Sequence, residues 1–591
     1  LLRGATAICS ARPGDGGGHA IFGLNSQRLH HAWGAIGALA AVAIAAAISI
    51  SFYDRFWYAP DDGAYAHVAS RILQGEVLNG SVQDIHAGYI NFVNAAALAL
   101  FGLDLLSLRI PLAALSVIQG LIAYVLLRRS GVRIALAASI ALTSLSFVQF
   151  LNPTAHWYCL FVVLLIPVVI EAIPHDAFRR LVALGFLVGL IAMFRQLTGL
   201  IVALAMFVWL LTQTPDARGQ SWAIRGLLVA MALGVGTYVA RQADLATAVL
   251  FGAGPVVLLL IAAWRVRVSL AQTLRLIGGL GLGVGFAILP LAVYHVANGS
   301  VATWLGDTVR AALEIPQFAF IEHQSYLSLA TLVLPQLLDL GHPAAALNAI
   351  FWLFLILMPA LNGAILVWRM WQDELGATGA DALAWLASFY ALVALHYQVP
   401  IYLFYVAGLN ALALAALAVS ARGRIVVVGA LLATSAIALY FHAGQPLARG
   451  VEGTLRGERV QQREACGMPR CSLQLTSLEV AEHREVVKRI EAHSPKAACI
   501  LALPSDAEFY FITGRCNPTR FFNSALGLRS PADASALAAR LRRRPPSVLI
   551  HRPGEKYDTA LTRQLVSELR PLYRDQEKIG RFIVYWDSGG T

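Results

Sequence analysis

Long stretches without a single charged residue constrain this chain more than any other feature. Two of them, Ile134 to Ile170 and Ala382 to Ala421, run for 37 and 40 residues. Others run from Ala32 to Tyr53, Ile110 to Leu127, Gly226 to Ala240, Leu245 to Trp264, Leu276 to Gly306, Leu340 to Trp368 and Ile425 to Ala448. A helix that crosses a bilayer needs about 20 apolar residues. Each of the two longest runs must therefore hold two helices joined by a tight turn, and Asn152-Pro153 and Val399-Pro400 supply the turn signals. Leu181 to Pro215 is broken only by Arg195, which reads as the apex between two short helices. The expectation is a polytopic α-helical membrane protein with about 13 transmembrane helices.

Charge is unevenly divided along the 591 residues. Residues 1–441 carry 40 charged side chains, 22 basic and 18 acidic, whereas residues 442–591 carry 39, 23 basic and 16 acidic. The second density matches the roughly 25% of ordinary soluble domains and the first falls far below it. The sequence thus divides into a tail (1–31), a membrane domain (32–441) with a long first loop (54–104), and a soluble domain (442–591). Most of the membrane part's share of the net charge of +11 is explained by topology, so nucleic acid is not an expected partner.

Basic residues near helix ends stay in the cytoplasm. With the N-terminus inside, the clusters Arg128, Arg129, Arg133; Arg179, Arg180; Arg218, Arg225; Arg265, Arg267, Arg275; Arg369; and Arg422, Arg424 become cytoplasmic. The opposite face collects acids that include Asp54, Asp61, Asp62, Asp84, Asp104 and Asp307. An odd helix number then puts the C-terminal domain outside, in the periplasm of a bacterium. The first 30 residues, rich in Gly and polar side chains, read as a flexible cytoplasmic tail and not as a signal peptide, whose apolar core would be shorter.

Four of the six cysteines, Cys466, Cys471, Cys499 and Cys516, lie in the soluble part. An even set in an oxidising compartment suggests disulfides. Of the three pairings, Cys466 with Cys471 and Cys499 with Cys516 is favoured; the alternative is four unrelated buried thiols, and no CxxC pair points to zinc. Residues 466–591 read as a small α/β domain, with helices near Leu475 to Ile490 and Asp558 to Leu569 and strands at Ala498 to Leu503, Val548 to His551 and Phe582 to Trp586. The basic run Arg540, Arg542, Arg543, Arg544 before Pro545-Pro546 reads as a solvated helix end.

The loop 54–104 is far longer than a plain connection. It holds Tyr58-Ala-Pro-Asp61-Asp62-Gly-Ala-Tyr65, an amphipathic stretch from Ala64 to Leu73 with Tyr65, Val68, Ala69 and Ile72 on one face, then Asp84-Ile-His86-Ala-Gly-Tyr89. Two neighbouring carboxylates repel, which favours a raised pKa and a general base, or they hold a divalent cation. A Pro-Asp-Asp helix cap is the structural alternative.

The order Asp61-Asp62-Gly63-x-Tyr65, Ile72-Leu73-x-Gly75, Asp84-x-His86-x-Gly88-Tyr89 and Ala97-Leu98-x-Leu100-Phe101-Gly102 after a first membrane helix resembles the first extracytoplasmic loop of the GT-C superfamily of integral-membrane glycosyltransferases. It is most similar to the protein-mannosyltransferase and aminoarabinose-transferase type, which uses polyprenyl-phosphate-linked sugars. Further echoes are Gly185 to Gly199, His396-Tyr397 before Pro400, and Phe509 to Arg520.

The resemblance implies a GT-C type fold and an inverting transfer of a sugar from a polyprenyl phosphate to a lipid, glycan or protein acceptor, at the periplasmic face of the inner membrane. It implies that Asp61 is the catalytic base and Asp62 its acidic neighbour, with Tyr65, Asp84, His86 and Tyr89 lining the cavity. A departing phosphate needs a cation, and Arg195, where the family more often has lysine, is the candidate, with His396 and Tyr397 assisting. Arginine offers phosphate a two-pronged fork. Where relatives often carry another acid in the second outside turn, this chain has Asn152, Pro153, Thr154 and His156, which weighs against a two-acid or metal-dependent scheme. Glu314, Glu322 and His323 are the substitutes on offer. No cofactor is expected to be required, with a divalent cation as the alternative. A lipid-linked-saccharide transporter or flippase and a noncatalytic scaffold are the competing readings; the first would show paired halves, and the sequence has no evident internal repeat.

Overall fold

The uncharged runs become helices, with breaks at Asn152-Pro153, Arg195 and Val399-Pro400, while Pro167, Pro255, Pro290 and Pro359 lie inside helices. The computed structural model describes residues 18–588 except 176, 214–221, 311–312, 314–324, 340 and 419, with the backbone alone for 18–33 and 448. The chain opens with α1 (Gly18–Phe52), α2 (Ala59–Leu73), α3 (Tyr89–Phe101), α4 (Ile110–Leu127), α5 (Val132–Ser144), α6 (Ala155–Ala172), α7 (Phe178–Phe194) and α8 (Gln196–Thr212). The long helices Trp222–Gln242, Leu245–Arg265, Leu270–Ala297, Pro343–Trp371, Pro400–Leu417 and Ala421–Phe441 follow.

Among the described residues, ten helices are long and apolar enough to cross a membrane. The expected thirteen is not reached by these alone; shorter apolar helices, among them α7, α8 and the segment Gly379–Leu395, would have to be added. The turns fall where expected. Helix α6 follows Asn152-Pro153-Thr154, and Pro400–Leu417 follows an extended Val399. Arg195 is extended (φ −153°, ψ 111°) between α7 and α8. Helix α1 starts at Gly18, ahead of the expected Ala32; residues 1–17 of the expected tail, and Glu314, Glu322 and His323, lie outside the described residues.

Small residues let helices approach closely. A Cβ on Gly185 of α7 would stand 2.1 Å from the Leu280 carbonyl oxygen, and one on Gly189 would stand 2.8 Å from Ala287 Cβ. Helix α7 therefore lies against Leu270–Ala297, which brings Arg195, at its end, level with the first loop.

Beyond Phe441 the chain builds a two-stranded ribbon, β1 (Glu464–Ala465) with β2 (Gln474–Leu475), and a four-stranded sheet of β3 (Ile500–Leu503), β4 (Val548–His551), β5 (Asp575–Ile579) and β6 (Phe582–Trp586). The sheet order is β3-β4-β6-β5, with β3 and β4 parallel and the other pairs antiparallel. Side chains alternate faces along a strand. Ile500, Ala502, Val548, Ile550, Phe582 and Val584 join the main core with the helix Ser477–His493, while Leu501, Leu503, Leu549 and Tyr585 form a second core under Pro531–Arg543 and Ala560–Leu569. Disulfides join Cys466 to Cys471 and Cys499 to Cys516, the pairings favoured from the sequence. Arg540, Arg542 and Arg543 occupy the last turn of Pro531–Arg543, where the helix dipole favours positive charge.

This domain closes directly on the first loop. Phe56 N–H donates to the Gln474 carbonyl (2.6 Å), Gln474 N–H to the Asp54 carbonyl (2.8 Å), Leu105 N–H to the Arg470 carbonyl (3.0 Å) and Gln83 N–H to the Arg520 carbonyl (2.8 Å). Gly63 on α2 abuts the short helix Glu508–Thr513: a Cβ there would lie 2.4 Å from the Glu508 nitrogen. Helix α2 is consequently buried nearly all round and not on one face as its amphipathic pattern suggests. Its polar side chains find partners in the domain above. His67 meets Asn517 (3.3 Å), and Arg71 pairs with Glu76 (2.6 Å) and donates to the Thr519 carbonyl (2.9 Å).

Candidate active site

The adjacent acids at the start of α2 point to different environments. Asp62 is fully enclosed. Its Oδ1 accepts from Arg109 Nη2 at 2.9 Å and its Oδ2 from the Tyr58 amide at 3.0 Å. Arg109, itself without exposed surface, also donates to the carbonyls of Tyr53 (3.2 Å), Arg55 (3.0 Å) and Phe56 (2.6 Å). Asp62 thus ties the start of α2 to the head of α4; the cap position itself is Tyr58, and no side chain caps the helix there. Both of its oxygens are engaged, so the pair does not fit a cation bridging two carboxylates. Among the described residues, no group of three or more His, Cys, Asp or Glu side chains could hold a metal.

Asp61 remains partly accessible. Its Oδ2 accepts from Asn152 Nδ2 at 2.9 Å. Protein surrounds the carboxyl, and this burial raises its pKa from 3.8 to about 6; the charge of Lys556 pulls it down, Asp62 pushes it up, and the Asn152 hydrogen bond and His86 pull it down. A carboxylate with a pKa near 6 is mostly ionised at neutral pH yet basic enough to take a proton from a hydroxyl in a transition state.

The second element of the loop lies beside it. His86 Nδ1 is 2.8 Å from Asp84 Oδ1, which also accepts from the His86 amide at 2.9 Å. Burial acts to raise the Asp84 carboxyl, but the charge and hydrogen bonds of His86, with Asn91, act the other way and the net shift is downward. Asp84 therefore stays an anion that orients His86. The His86 ring is 5.9 Å from that of Tyr65, whose hydroxyl reaches Thr154 Oγ1 at 3.5 Å. Tyr89 is not part of this group: its hydroxyl donates to the Ala287 carbonyl at 2.7 Å and braces α3 against Leu270–Ala297.

Arg195 forms the other side of the site. Nη1 is 3.0 Å from His156 Nδ1 and Nη2 donates to the Tyr402 hydroxyl at 3.3 Å. His156 is held flat against Tyr405, with ring centroids 3.6 Å apart and planes 6° from parallel. Among the described residues Arg195 makes no ion pair with a carboxylate, and the aromatic side chains of His156 and Tyr402 fix its guanidinium. Asp61, Tyr65 and Arg195 all meet one short turn: Asn152 donates to Asp61, the Tyr65 hydroxyl reaches Thr154, and Arg195 meets His156, and the charges of both Asp61 and Arg195 act on the Tyr65 hydroxyl. Tyr397 lies 5.4 Å from the Tyr402 ring and His396 6.4 Å from it. Gln196 Nε2 donates to the carbonyls of Ile85 (2.9 Å) and Thr308 (3.2 Å), locking the Arg195 apex to the His86 segment.

Three functional neighbours are not evident from sequence patterns. Arg109 is a lone charge at the head of an uncharged run, which is the only mark it carries. Asn152 occupies the turn where an acid was expected, and serves Asp61 as a hydrogen-bond donor. Lys556 comes from the C-terminal domain. Its Nζ lies 5.6 Å from the centroid of the Tyr58 ring and 4.7 Å from that of Tyr557. The loop that carries it is fixed by His551–Asp558 (3.1 Å), by the Gly554 amide on Asp558 (3.1 Å) and by Arg552–Asp506 (2.8 Å).

Compared with solved structures, the chain is similar to ArnT from Cupriavidus metallidurans bound to undecaprenyl phosphate, with 14% identity and a TM-score of 0.38 over 93% of this chain and 97% of that one. It is also similar to the same protein in the apo state, with 12% identity and a TM-score of 0.39 over 94% and 98%. No family model matches the chain, and no curated protein matches it.

Proposed function

We propose that this integral membrane protein is an inverting glycosyltransferase that moves a sugar from a polyprenyl-phosphate donor to a hydroxyl-bearing acceptor. The observation that carries this reading is that one short turn, Asn152 to His156, holds Asp61, a carboxylate whose burial raises its pKa, through Asn152, and Arg195, a cation set among aromatic partners, through His156. Asp61 takes the acceptor's proton as the acceptor oxygen bonds the anomeric carbon. The bond from that carbon to the phosphate oxygen breaks, its electron pair leaves with the polyprenyl phosphate, and Arg195 receives the charge that develops there. Attack opposite the leaving group inverts the anomeric centre. His86, oriented by Asp84, and the His396-Tyr397 pair line the donor side.

The arginine clusters support a site on the extracytoplasmic face, the periplasmic one in a bacterial inner membrane, with the C-terminal domain on the same side. The acceptor is a lipid, a glycan end or a protein. Transfer of radiolabelled sugar from a panel of polyprenyl-phosphate donors by the purified protein tests the reading. Asp61→Asn should lower turnover by about 10²–10⁴-fold, and Arg195→Ala should weaken donor binding more than acceptor binding. Normal transfer by the first variant, or unchanged donor affinity in the second, overturns the respective assignment.

A further inference from the structure

A cavity lies away from this site, where α5 and the helix Ala421–Phe441 begin. It measures about 500 Å³ and its walls combine four apolar side chains, Val132, Ile134, Ile425 and Val428, with two arginines, Arg133 and Arg424. Both helices belong to segments long and apolar enough to cross a membrane, so the cavity sits at the end of two spans, where hydrocarbon gives way to headgroups. Its chemistry is divided in the same way. The apolar residues continue along the two helices, and the arginines stand at their first turns.

The charge there is not consumed internally. Arg133 forms no ion pair with a described residue, and Arg424 spends only its Nε, on the Ala418 carbonyl at 3.1 Å. Arg129 is the neighbour that is neutralised, by Glu171 at 3.0 Å. Helix α5 starts after Gly131 with no side-chain cap, which leaves its first amides open and adds the positive end of a helix dipole to the two guanidinium groups. Ile425 is 74% exposed, an apolar side chain at the rim that solvent water would not favour.

We infer that this cavity is a binding site for one anionic phospholipid, its phosphate held by Arg133 and Arg424 and an acyl chain lying on Ile134, Ile425 and Val428. Charge complementarity selects the anionic headgroup, and the apolar wall selects a lipid over a free phosphate. Basic pockets between membrane helices recognise anionic lipids by this combination, with about 1 kcal/mol from each basic residue near the surface.

The test uses the full chain, purified and delipidated in detergent, with bound lipid counted by native mass spectrometry and stability followed by thermal unfolding. Dioleoylphosphatidylglycerol should remain bound at one copy and raise the unfolding temperature, whereas dioleoylphosphatidylcholine and inorganic phosphate should do neither. The double variant Arg133→Gln, Arg424→Gln should lose retention about tenfold or more. Val428→Trp, which fills the apolar wall and keeps both charges, should also expel the lipid, while Arg179→Gln, at another helix end, should not. Equal retention of the two lipids, stabilisation by inorganic phosphate alone, or full binding by Val428→Trp would each overturn the site.

Discussion

Asp61 carries two opposing consequences of one environment. Burial raises its pKa from 3.8 to about 6, so between those values the folded state holds a proton that the unfolded chain has released. Stability from this group is therefore full below about pH 4 and falls as pH rises toward 6, after which the penalty is constant. Asp61→Asn removes the penalty: the variant should unfold at a higher temperature than the wild type at pH 8, by on the order of 1–3 kcal/mol, and match it near pH 4, even as transfer is lost. Thermal unfolding at the two pH values checks this, and a gap that does not grow with pH refutes it. Asn152 acts in the other direction, by stabilising the charged form. Asn152→Ala should move the acidic limb of the pH–rate profile upward, by about half a unit. The sequence made the pair Asp61-Asp62 visible but not its division of labour, because the partner that claims Asp62 is Arg109, 47 positions away, and no local spacing announces it.

At the scale of elements, breaks were easier to read than faces. Asn152-Pro153, Arg195 and Val399-Pro400 interrupt uncharged runs, and the backbone turns at each of them. Strands β3, β4 and β6 were legible from their apolar runs, whereas β5, Asp-Gln-Glu-Lys-Ile, is an edge strand whose four polar residues alternate between half-buried and exposed, and it looks like a loop. Helix α2 misled for a different reason. Its polar side is covered by a domain more than 400 residues later, so His67 and Arg71 became interior residues with specific partners. Gly63 is where that contact is tightest. Gly63→Ala would drive a Cβ to 2.4 Å from the Glu508 nitrogen, a backbone atom with no rotamer to yield. Overpacking of this kind costs about 1–3 kcal/mol, so the variant should unfold earlier and also transfer more slowly, since Asp61 lies two residues away on the same helix. Thermal unfolding and turnover measured on one preparation check both parts, and an unaltered unfolding temperature would mean that α2 and the Glu508–Thr513 helix can separate freely.

At the scale of the whole molecule, the contrast between a charge-poor membrane part and a charge-rich C-terminal part was the most legible feature, but it carries no sign of how the two parts meet. The structure joins them through the first loop. Arg520 reaches down to the carboxylate of Asp307 and to the carbonyls of Asn79 and Gly80, so the domain clasps the loop that carries Asp84 and His86. Lys556 extends the same logic into the active site, because after burial its charge is the largest influence on Asp61, and it acts to keep that carboxyl ionised. Its ammonium is exposed and rests near the Tyr58 and Tyr557 rings, so its loss should cost little stability. Lys556→Met should thus leave the unfolding temperature nearly unchanged while moving the acidic limb of transfer upward, by about half a unit or more, because Asp61 then protonates at higher pH. Lys556→Arg, which restores the charge, should return the limb to its place. A profile that ignores both substitutions would mean that the domain covers the site without taking part in its chemistry; a shift rescued by arginine would make the domain a working wall of the active site.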